Sequence, residues 1–236
     1  MKNYKRLLII PAKSTSSRIP NKNFKLFFGK PIFMYSYEAA KKSKIFDKIH
    51  ISTESKKISD KLKKKGISID FLRDQNLAKD NVGLFNVYKN TLIKYDRLGI
   101  NFSEIWGLLP CSPLIDKFDL LNIHELLKKK KIKLPILSVC KYPSPIEWAF
   151  EMKKNFKLKP LNEKYFEKQS QKIKTKYFDT GNVSVFSRTD LIKNDQLSIM
   201  KKFYGYEFSK KKSIDIDYMD DWEFAKKIKK INVKKN

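Results

Sequence analysis

Short apolar runs alternate with longer amphipathic runs along most of the chain, and this alternation limits the possible folds more than any other feature. Runs of strand length stand at 6–12, 48–53, 68–72, 104–109, 134–139, 181–187 and 213–217. Three- and four-residue apolar spacing predicts helices at 31–43, 55–66, 83–99, 116–131 and 219–231. Pro31 suits the first turn of the first helix, while Ser55 can cap the second and Gly66 can end it. This order of elements predicts an α/β fold with a mostly parallel central sheet flanked by helices.

The segment 142–176 interrupts this rhythm. It is polar and aromatic, and Pro143, Pro145 and Pro160 break any regular pattern. We interpret it as an inserted arm or lid that could carry a dimer contact. A length of 236 residues fits one large α/β domain, so we expect a single domain over 1–236 that includes the arm.

The chain is strongly basic, with 52 Lys plus Arg against 25 Asp plus Glu and a formal net charge of +27. A basic nucleic-acid-binding protein is therefore the alternative of another class, and its affinity for DNA would fall steeply with salt. Only 5 of the basic residues are Arg, however, the residue whose planar fork pairs best with bases and phosphates. The lysines are spread over most of the chain. We interpret them as a solvated surface that helps to attract an anionic substrate.

Cysteine content and hydropathy exclude several classes of protein. The chain has only two cysteines, Cys111 and Cys140, which argues against a disulfide scaffold and favours a reducing cytoplasm. No run of about 18 apolar residues occurs, so we expect no transmembrane helix. No histidine lies near Cys111 in the sequence, and we interpret this cysteine as a packed thiol rather than a nucleophile. His50 is interpreted as an ordinary strand residue.

A polar loop follows the first predicted strand and contains three cations, Lys13, Arg18 and Lys22. In open α/β sheets, ligands bind beyond the carboxyl ends of the strands. The cations can surround a polyphosphate there, and backbone N–H groups can donate to its oxygens together with the hydroxyl groups of Ser14, Ser16 and Ser17. The loop is not a Walker A loop, because the string G-x-x-x-x-G-K-[ST] is absent.

Two carboxylates, Asp215 and Asp217, stand two residues apart in the last predicted strand. Residues i and i+2 of a strand share a face, so both carboxylates point the same way while Ile214 and Ile216 point toward the core. Alone, this pattern fits a solvated strand end better than a site. Beside a polyphosphate loop, it predicts a site for Mg²⁺.

Seven strings of residues, in order along the chain, resemble the CMP-nonulosonate synthetases, which are the acylneuraminate and pseudaminate cytidylyltransferases. The strings are I-I-P-A-K-S-T-S-S-R-I-P-N-K-N at 9–23, F-G-K-P at 28–31, I-S-T-E at 51–54, F-L-R at 71–73, S-P-L at 112–114, Q-S-Q at 169–171 and D-I-D-Y-M-D-D-W at 215–222. The resemblance extends from Leu8 to about Ala225. Three stretches are closer to the pseudaminate branch: Asp80-Asn-Val-Gly83, Y-P-S-P-I at 142–146 and Y-F-D-T-G-N at 177–182.

The resemblance implies a Rossmann-like nucleotide-diphospho-sugar transferase fold. It also implies transfer of CMP from CTP to the anomeric hydroxyl of a nine-carbon 2-keto-3-deoxy sugar acid, pseudaminic acid, with release of pyrophosphate. The residues implied for CTP binding are Lys13, Ser16, Arg18, Lys22, Asn23, Arg73 and Ser112. Those implied for sugar binding are Gln171, Tyr177, Asp179 and Gly181. Lys22, Asp215 and Asp217 would be catalytic, the two aspartates by holding the Mg²⁺ cofactor. Together with the arm, the resemblance implies a homodimer.

The chain departs from the family pattern in the phosphate loop. Lys13 stands where an Arg is usual, Ser14-Thr15 where Gly-Gly is usual, and Ser17 where a Lys is usual. Glu54 stands in place of the Asp of the family's S-T-D string. These changes leave open a catalytically weakened paralogue that binds CTP without turnover. The sugar stays open as well, with N-acetylneuraminate, legionaminate and the eight-carbon acid Kdo as alternatives to pseudaminic acid.

Overall fold

The alternating runs fold as a central sheet with helices packed on it, in a computed structural model that describes residues 3–233. The strands are β1 (Asn3–Pro11), β2 (Leu26–Phe27), β3 (Lys30–Pro31), β4 (Lys48–Ser52), β5 (Asn101–Leu108), β6 (Ile136–Lys141), β7 (Phe150–Met152), β8 (Leu158–Pro160), β9 (Tyr177–Ser187) and β10 (Tyr204–Glu207). The α-helices are α1 (Phe33–Ser43), α2 (Lys56–Lys63), α3 (Leu84–Arg97), α4 (Lys117–Lys128), α5 (Arg188–Lys193), α6 (Gln196–Met200) and α7 (Met219–Val233). Short 3-10 helices lie at Lys22–Phe24, Gln75–Ala78, Ile146–Trp148, Glu163–Tyr165 and Ser170–Lys172.

The central sheet has the strand order β10-β6-β9-β5-β1-β4. Its pairs are parallel except at β9, which runs antiparallel to both β5 and β6. The predicted α/β fold with a mostly parallel sheet is therefore confirmed. Because β1, β4 and β5 point the same way, the chain segments after Pro11, Ser52 and Leu108 come together at one carboxyl edge. Strand β9 begins at this edge, where Asp179 lies opposite Val139.

Both faces of the sheet are buried under helices. In β1, Leu7 and Ile9 pack on the face covered by α3, whereas Leu8 and Ile10 pack on the face covered by α1 and α4. Successive side chains of a strand point to opposite faces, so burial on both sides requires an unbroken apolar run. This requirement explains why the first strand is the clearest in the sequence.

Two predicted strands are wrong. Within the described chain, residues 68–72 and 213–217 have no regular secondary structure and pair with no strand. Their alternating pattern reflects packing on one side only, since Ile216 is buried against Trp222 and the ring of Phe71 contacts that of Tyr95. One-sided burial produces the same sequence pattern whether or not a neighbouring strand is present.

The ends of two helices bear on the predictions. Ser55 caps α2 as predicted, accepting a hydrogen bond from the backbone N of Ile58 at 3.4 Å, and Gly66 follows the helix with a φ of 75°. Pro31, in contrast, lies in the β2–β3 hairpin rather than in the first turn of α1.

The edge strand β10 is not predicted by the sequence. Among residues 3–233, no helix is long and apolar enough to cross a membrane.

The segment predicted as an arm leaves the sheet after β6 and returns to it at β9. Its base is closed by a hydrogen bond from the backbone N of Tyr142 to the O of Lys176, at 3.0 Å. Between these residues, β7 and β8 form an antiparallel hairpin that short 3-10 helices follow. Large apolar side chains of the arm are exposed, and they include Phe150, Met152, Phe156, Leu158 and Leu161.

Candidate active site

The loop between β1 and α1 borders a cleft of about 390 Å³ at the carboxyl edge of the sheet. The cleft brings together most of the side chains predicted for CTP and the metal: Lys13, Ser16, Arg18, Lys22, Asn23, Arg73 and Asp215. Its apolar lining is provided by Leu77, Val82, Leu84, Val87 and Leu109. Cations beside apolar surface suit a ligand that combines phosphates with a flat, less polar ring.

The side chain of Asn23 ties the start of the loop to its end. Its Nδ2 donates to the backbone O of Lys13 at 2.9 Å, and its Oδ1 accepts from the Sγ of Cys111 at 3.3 Å. Asn23 is buried, yet it still lines the cleft. One hydrogen of its amide group remains for a ligand, because Nδ2 carries two.

Lys22 and Arg18 both contact Asp217. The Nζ of Lys22 donates to the backbone O of Ile216 at 2.5 Å and lies 3.1 Å from Oδ1 of Asp217. The Nη1 of Arg18 lies 2.6 Å from Oδ2 of the same carboxylate. Two predicted phosphate-binding cations and one predicted metal ligand therefore form one cluster, in which Lys22 and Arg18 line the cleft and Asp217 contacts both of them without lining it.

Asp215 has a pKa above the ordinary value for an aspartate. Desolvation in the cleft is the main cause, and the negative charge of Asp217 adds to it, while Lys22 and Arg18 act in the opposite direction. The ionised forms of the two carboxylates therefore repel each other. A bound cation would relieve this repulsion.

The two carboxylates fit a magnesium ion. Mg²⁺ is commonly held by one or two carboxylates, with phosphate oxygens and water at its other positions. Among the described residues, this site included, no group of three or more His, Cys, Asp or Glu side chains could hold a metal, so the ligands beyond the two carboxylates would be phosphate oxygens and water. Asp215 and Asp217 would hold the ion at the cleft, beside the cations that would bind the phosphates.

Arg73 is fixed at the wall of the cleft. Its side chain is buried, with Nε donating to the Oγ of Ser52 at 3.0 Å and Nη2 donating to the Ser52 backbone O at 2.7 Å. Burial lowers the pKa of Arg73, but a guanidinium stays charged in proteins. The remaining donors of a rigidly held cation are thus available to a ligand.

Ser112 does not line the cleft. Its hydroxyl is buried and donates to the Oδ1 of Asn182 at 2.7 Å, while the Nδ2 of Asn182 donates to the backbone O of Lys212 at 3.0 Å. The structure thus gives this hydroxyl a contact within the fold, although its motif stands at the expected strand end.

The predicted sugar-binding residues fall into two groups. Asp179 and Gly181 line a second cavity of about 320 Å³, which shares Leu84 with the cleft. Gln171 lies exposed in the arm, and Tyr177 lies at the start of β9 with its ring partly exposed. Neither of these two lines the cleft or the second cavity.

Gly181 is predicted to tolerate no side chain. Its φ is 68°, and an added Cβ would lie 3.0 Å from the Cδ1 of Leu109. We expect Gly181→Ala to lower the free energy of unfolding by about 1–2 kcal/mol, because left-handed backbone strains a side chain. Gly99→Ala is the matched control, since Gly99 has a φ of 73° but open space around it. Urea unfolding should show a larger loss for Gly181→Ala; equal losses would contradict the contact with Leu109.

Two carboxylates that the sequence did not assign to the site hold the phosphate loop. Glu54 accepts from both the backbone N and the hydroxyl of Ser14, and Asp80 forms an ion pair with Lys13. The prediction that Ser14 donates to phosphate is therefore corrected, because both of its donors are used by Glu54. The Asp80-Asn-Val-Gly83 stretch was a sequence signal for Asp80, but nothing in the pattern placed it opposite Lys13.

Neither the cysteine nor the histidine near the sheet is a nucleophile or base for the cleft. Burial raises the pKa of Cys111 to about 12, so its thiol stays protonated near neutral pH, as expected of a packed cysteine. Burial lowers the pKa of His50 to about 3, and its Nδ1 lies 3.0 Å from the hydroxyl of Tyr95. Both side chains are buried, although Cys111 also borders the cleft.

Comparisons with known proteins show the family to which the chain belongs. A family model described as cytidylyltransferase matches residues 7–234, nearly the whole chain. The chain belongs to the cytidylyltransferase family, which makes it an enzyme of the CTP-dependent nucleotidyltransferase class.

Individual relatives and one solved structure are similar to this chain over nearly its whole length. The chain is 30% identical over 230 residues to a pseudaminic acid cytidylyltransferase of Campylobacter jejuni, covering 97% of each chain. It is 26% identical over 249 residues to a CMP-N,N'-diacetyllegionaminic acid synthase of Legionella pneumophila, covering 96% of this chain and 97% of the relative. A solved CMP:2-keto-3-deoxy-manno-octonic acid synthetase, complexed with CTP, has the same fold with a TM-score of 0.70. It is 13% identical in sequence, and the match covers 97% of this chain and 99% of that one.

Proposed function

We propose that this cytidylyltransferase transfers CMP from CTP to the anomeric hydroxyl of pseudaminic acid and releases pyrophosphate. The observation that carries the proposal is that Lys22, Arg18 and Asp215 line the cleft at the carboxyl edge, while Asp217 contacts both Lys22 and Arg18. The Campylobacter jejuni relative supports the choice of sugar acid. N-acetylneuraminic acid, legionaminic acid and Kdo remain the alternatives, and the experiments below separate them.

The reaction exchanges a phosphoanhydride bond of CTP for a phosphoester bond to the sugar acid. The anomeric oxygen forms a bond to the α-phosphorus of CTP, the bond from that phosphorus to the bridging oxygen breaks, and pyrophosphate leaves in line. The proton of the hydroxyl passes to solvent. No covalent intermediate with the protein is needed, so the tasks of the protein are to position the two substrates and to neutralise charge.

The cations of the phosphate loop supply the charge neutralisation. Lys13, Arg18 and Lys22 line the cleft and would hold the β- and γ-phosphates and then the departing pyrophosphate. Asp215 and Asp217 would hold Mg²⁺, which when bound polarises the α-phosphate and favours ionisation of the attacking hydroxyl. In the structure Asp217 already forms ion pairs with Arg18 and Lys22. The phosphates of CTP would therefore have to share these cations with Asp217 or displace it.

The second cavity suits a sugar acid with apolar substituents. Asp179 and Gln196 give it polar groups, but most of its lining is apolar or aromatic, from Phe85, Leu137, Phe186, Ile199, Met200 and Phe203. The N-acyl substituents of a sugar acid carry methyl groups that such a lining can bury. We propose that the sugar acid lies between the cleft and this cavity, with its methyl groups toward the aromatic rings.

Detection of the product tests the proposed function. The protein, CTP, Mg²⁺ and pseudaminic acid are incubated together, and mass spectrometry is used to search for the CMP-linked acid. We expect a product with the mass of the acid plus CMP less one water. A product with another of the four acids, but none with pseudaminic acid, would correct the sugar and keep the reaction.

The raised pKa of Asp215 predicts how activity depends on pH and Mg²⁺. Only the ionised pair of carboxylates can hold the metal, so kcat/KM for CTP should fall as the pH drops through the raised pKa. Because Mg²⁺ competes with the proton, the acid limb should move to lower pH as the Mg²⁺ concentration rises. The measurement is the pH profile at low and high Mg²⁺, with KCl keeping the ionic strength constant. An acid limb that ignores Mg²⁺ would count against this metal site.

We further propose that the chain forms a homodimer through the arm. Support comes from the apolar side chains that the arm exposes, since patches of this kind mark interfaces. Met152→Asp with Leu161→Asp should lower the mass measured by analytical ultracentrifugation from dimer to monomer. Phe118→Asp is the control, because Phe118 lies in α4 and is 62% exposed, much like Met152 at 64%. A monomeric wild type would refute the dimer.

We also propose that the enzyme works in the cytoplasm, where CTP is made. The presence of Cys111 and Cys140 as free, buried cysteines supports a reducing compartment. Fractionation of the native host, with antibody detection of the protein, tests this location.

A further inference from the structure

Glu54 lies directly beyond the end of β4, at the same edge of the sheet as the phosphate loop. Its side chain is only 7% exposed. Oε1 accepts from the backbone N of Ser14 at 2.8 Å and also from the Ser14 hydroxyl. A carboxylate that accepts two hydrogen bonds holds its donors more firmly than a neutral group can.

These bonds complete a clamp on the first residues of the loop. Glu54 holds the backbone N of Ser14, while Asn23 holds the backbone O of Lys13 at 2.9 Å. The backbone between the Cα atoms of Lys13 and Ser14 is therefore fixed from two sides. As a consequence, the direction in which Lys13 extends into the cleft, where it meets Asp80, is also fixed.

The second oxygen of Glu54 indicates that packing alone does not account for this residue. Oε2 is buried, and within residues 3–233 it has no hydrogen-bond partner. A buried carboxylate oxygen without a partner costs stability. The negative charge of Glu54 acts favourably on the buried guanidinium of Arg73, which links the clamp to another residue that lines the cleft.

We propose that Glu54 is a positioning residue for the nucleotide. It would act through Ser14, by holding the loop so that Lys13 and the following cations face the phosphates of CTP. The proposal rests on the proposed use of the cleft for CTP. It assigns a role to a carboxylate that would make no contact with either substrate.

The test compares CTP binding with sugar-acid binding. Glu54→Ala should raise the Kd for CTP, measured by titration calorimetry, and the KM for CTP by about tenfold. The KM for the sugar acid should stay within about twofold, because the second cavity does not contain the clamp. Glu54→Gln, which can still accept from the backbone N of Ser14, should recover most of the CTP affinity.

Coupling to Ser14 separates positioning from a general loss of stability. Ser14→Ala alone, which removes only the hydroxyl donor, should weaken CTP binding about threefold. In the Glu54→Ala background the same change should have no effect, because its partner is gone. Glu38→Gln is the control. Glu38 lies in α1 and pairs with Lys30 of β3 at 2.6 Å, so its substitution should leave CTP binding unchanged.

The outcomes are distinct. Equal CTP affinity of wild type and Glu54→Ala would overturn the positioning role while leaving the proposed function in place. Independent effects of Ser14→Ala and Glu54→Ala would overturn it as well. If Glu54→Ala fails to fold, the other two variants decide. Ser14→Ala should weaken CTP binding about threefold, and Glu54→Gln should weaken it only slightly. CTP affinity that is unchanged by Ser14→Ala would overturn the positioning role. A wild type that binds no CTP would overturn both proposals.

Discussion

Replacing Asp217 with asparagine is expected to abolish turnover, with kcat falling by about 10³-fold or more, the scale on which loss of one charge-stabilising group affects a transition state. Asp217 would hold the metal, and it also orders Lys22 and Arg18 through contacts at 3.1 and 2.6 Å. Asparagine keeps the shape of the side chain but removes its charge. The measurement is the initial rate of pyrophosphate release at saturating CTP.

The fold should survive this substitution. Partly exposed ion pairs contribute about 0–1 kcal/mol each, so Tm should change by less than about 5 °C. Asp220→Asn is the matched control, because Asp220 is an exposed aspartate three residues away in the first turn of α7 and does not line the cleft. A near-wild-type rate for Asp217→Asn would remove Asp217 from the metal site.

Replacing Lys22 with methionine is expected to lower kcat/KM for CTP by about 10²-fold or more. The ammonium group of Lys22 is already oriented, since it is held by the backbone O of Ile216 at 2.5 Å and by Asp217. A cation held at this position would stabilise the charge of the leaving pyrophosphate. Methionine keeps most of the apolar stem, so the loss would report on the charge.

Two further variants test whether the loss of activity in Lys22→Met comes from the position and charge of Lys22. Lys25→Met is the control, because Lys25 follows the same short 3-10 helix but is exposed and does not line the cleft. Lys22→Arg retains the charge and should recover part of the activity, although a guanidinium cannot reproduce the geometry of a point charge. If Lys22→Met and Lys25→Met gave equal rates, Lys22 would have no special role in the reaction.

The fold follows from the sequence wherever both faces of a strand are buried. Strands β1, β4, β5 and β6 were all predicted, because burial from two sides leaves long apolar or alternating runs. The errors concern segments that are buried on one side. Residues 213–217 pack Ile216 against Trp222 without pairing, whereas β10 pairs at the edge with a weak pattern that contains Gly205.

The site was predictable in composition but not in its internal contacts. The loop pattern placed Lys13, Arg18 and Lys22 together, because ligands bind beyond the carboxyl ends of strands in such sheets. It could not show that Glu54 takes both donors of Ser14, or that Ser112 turns inward to Asn182. Such contacts depend on side-chain directions that are set by tertiary packing, and spacing along the chain carries no information about them.

The metal prediction was reached through a strand that does not exist. Asp215 and Asp217 lie in a segment without regular secondary structure. Ile216 between them is buried, and Asp217 lies close enough to Asp215 to raise its pKa. The two carboxylates are therefore neighbours without strand pairing, in a segment that packs Ile216 against Trp222.

The most direct test of the central claim is pyrophosphate release from CTP and Mg²⁺ with four acids in parallel: pseudaminic, legionaminic and N-acetylneuraminic acids and Kdo. We expect release with pseudaminic acid, at a rate well above that with the other three. Release with another acid alone would contradict the choice of sugar. Binding of CTP without release from any of the four would indicate a weakened paralogue and contradict the proposed activity.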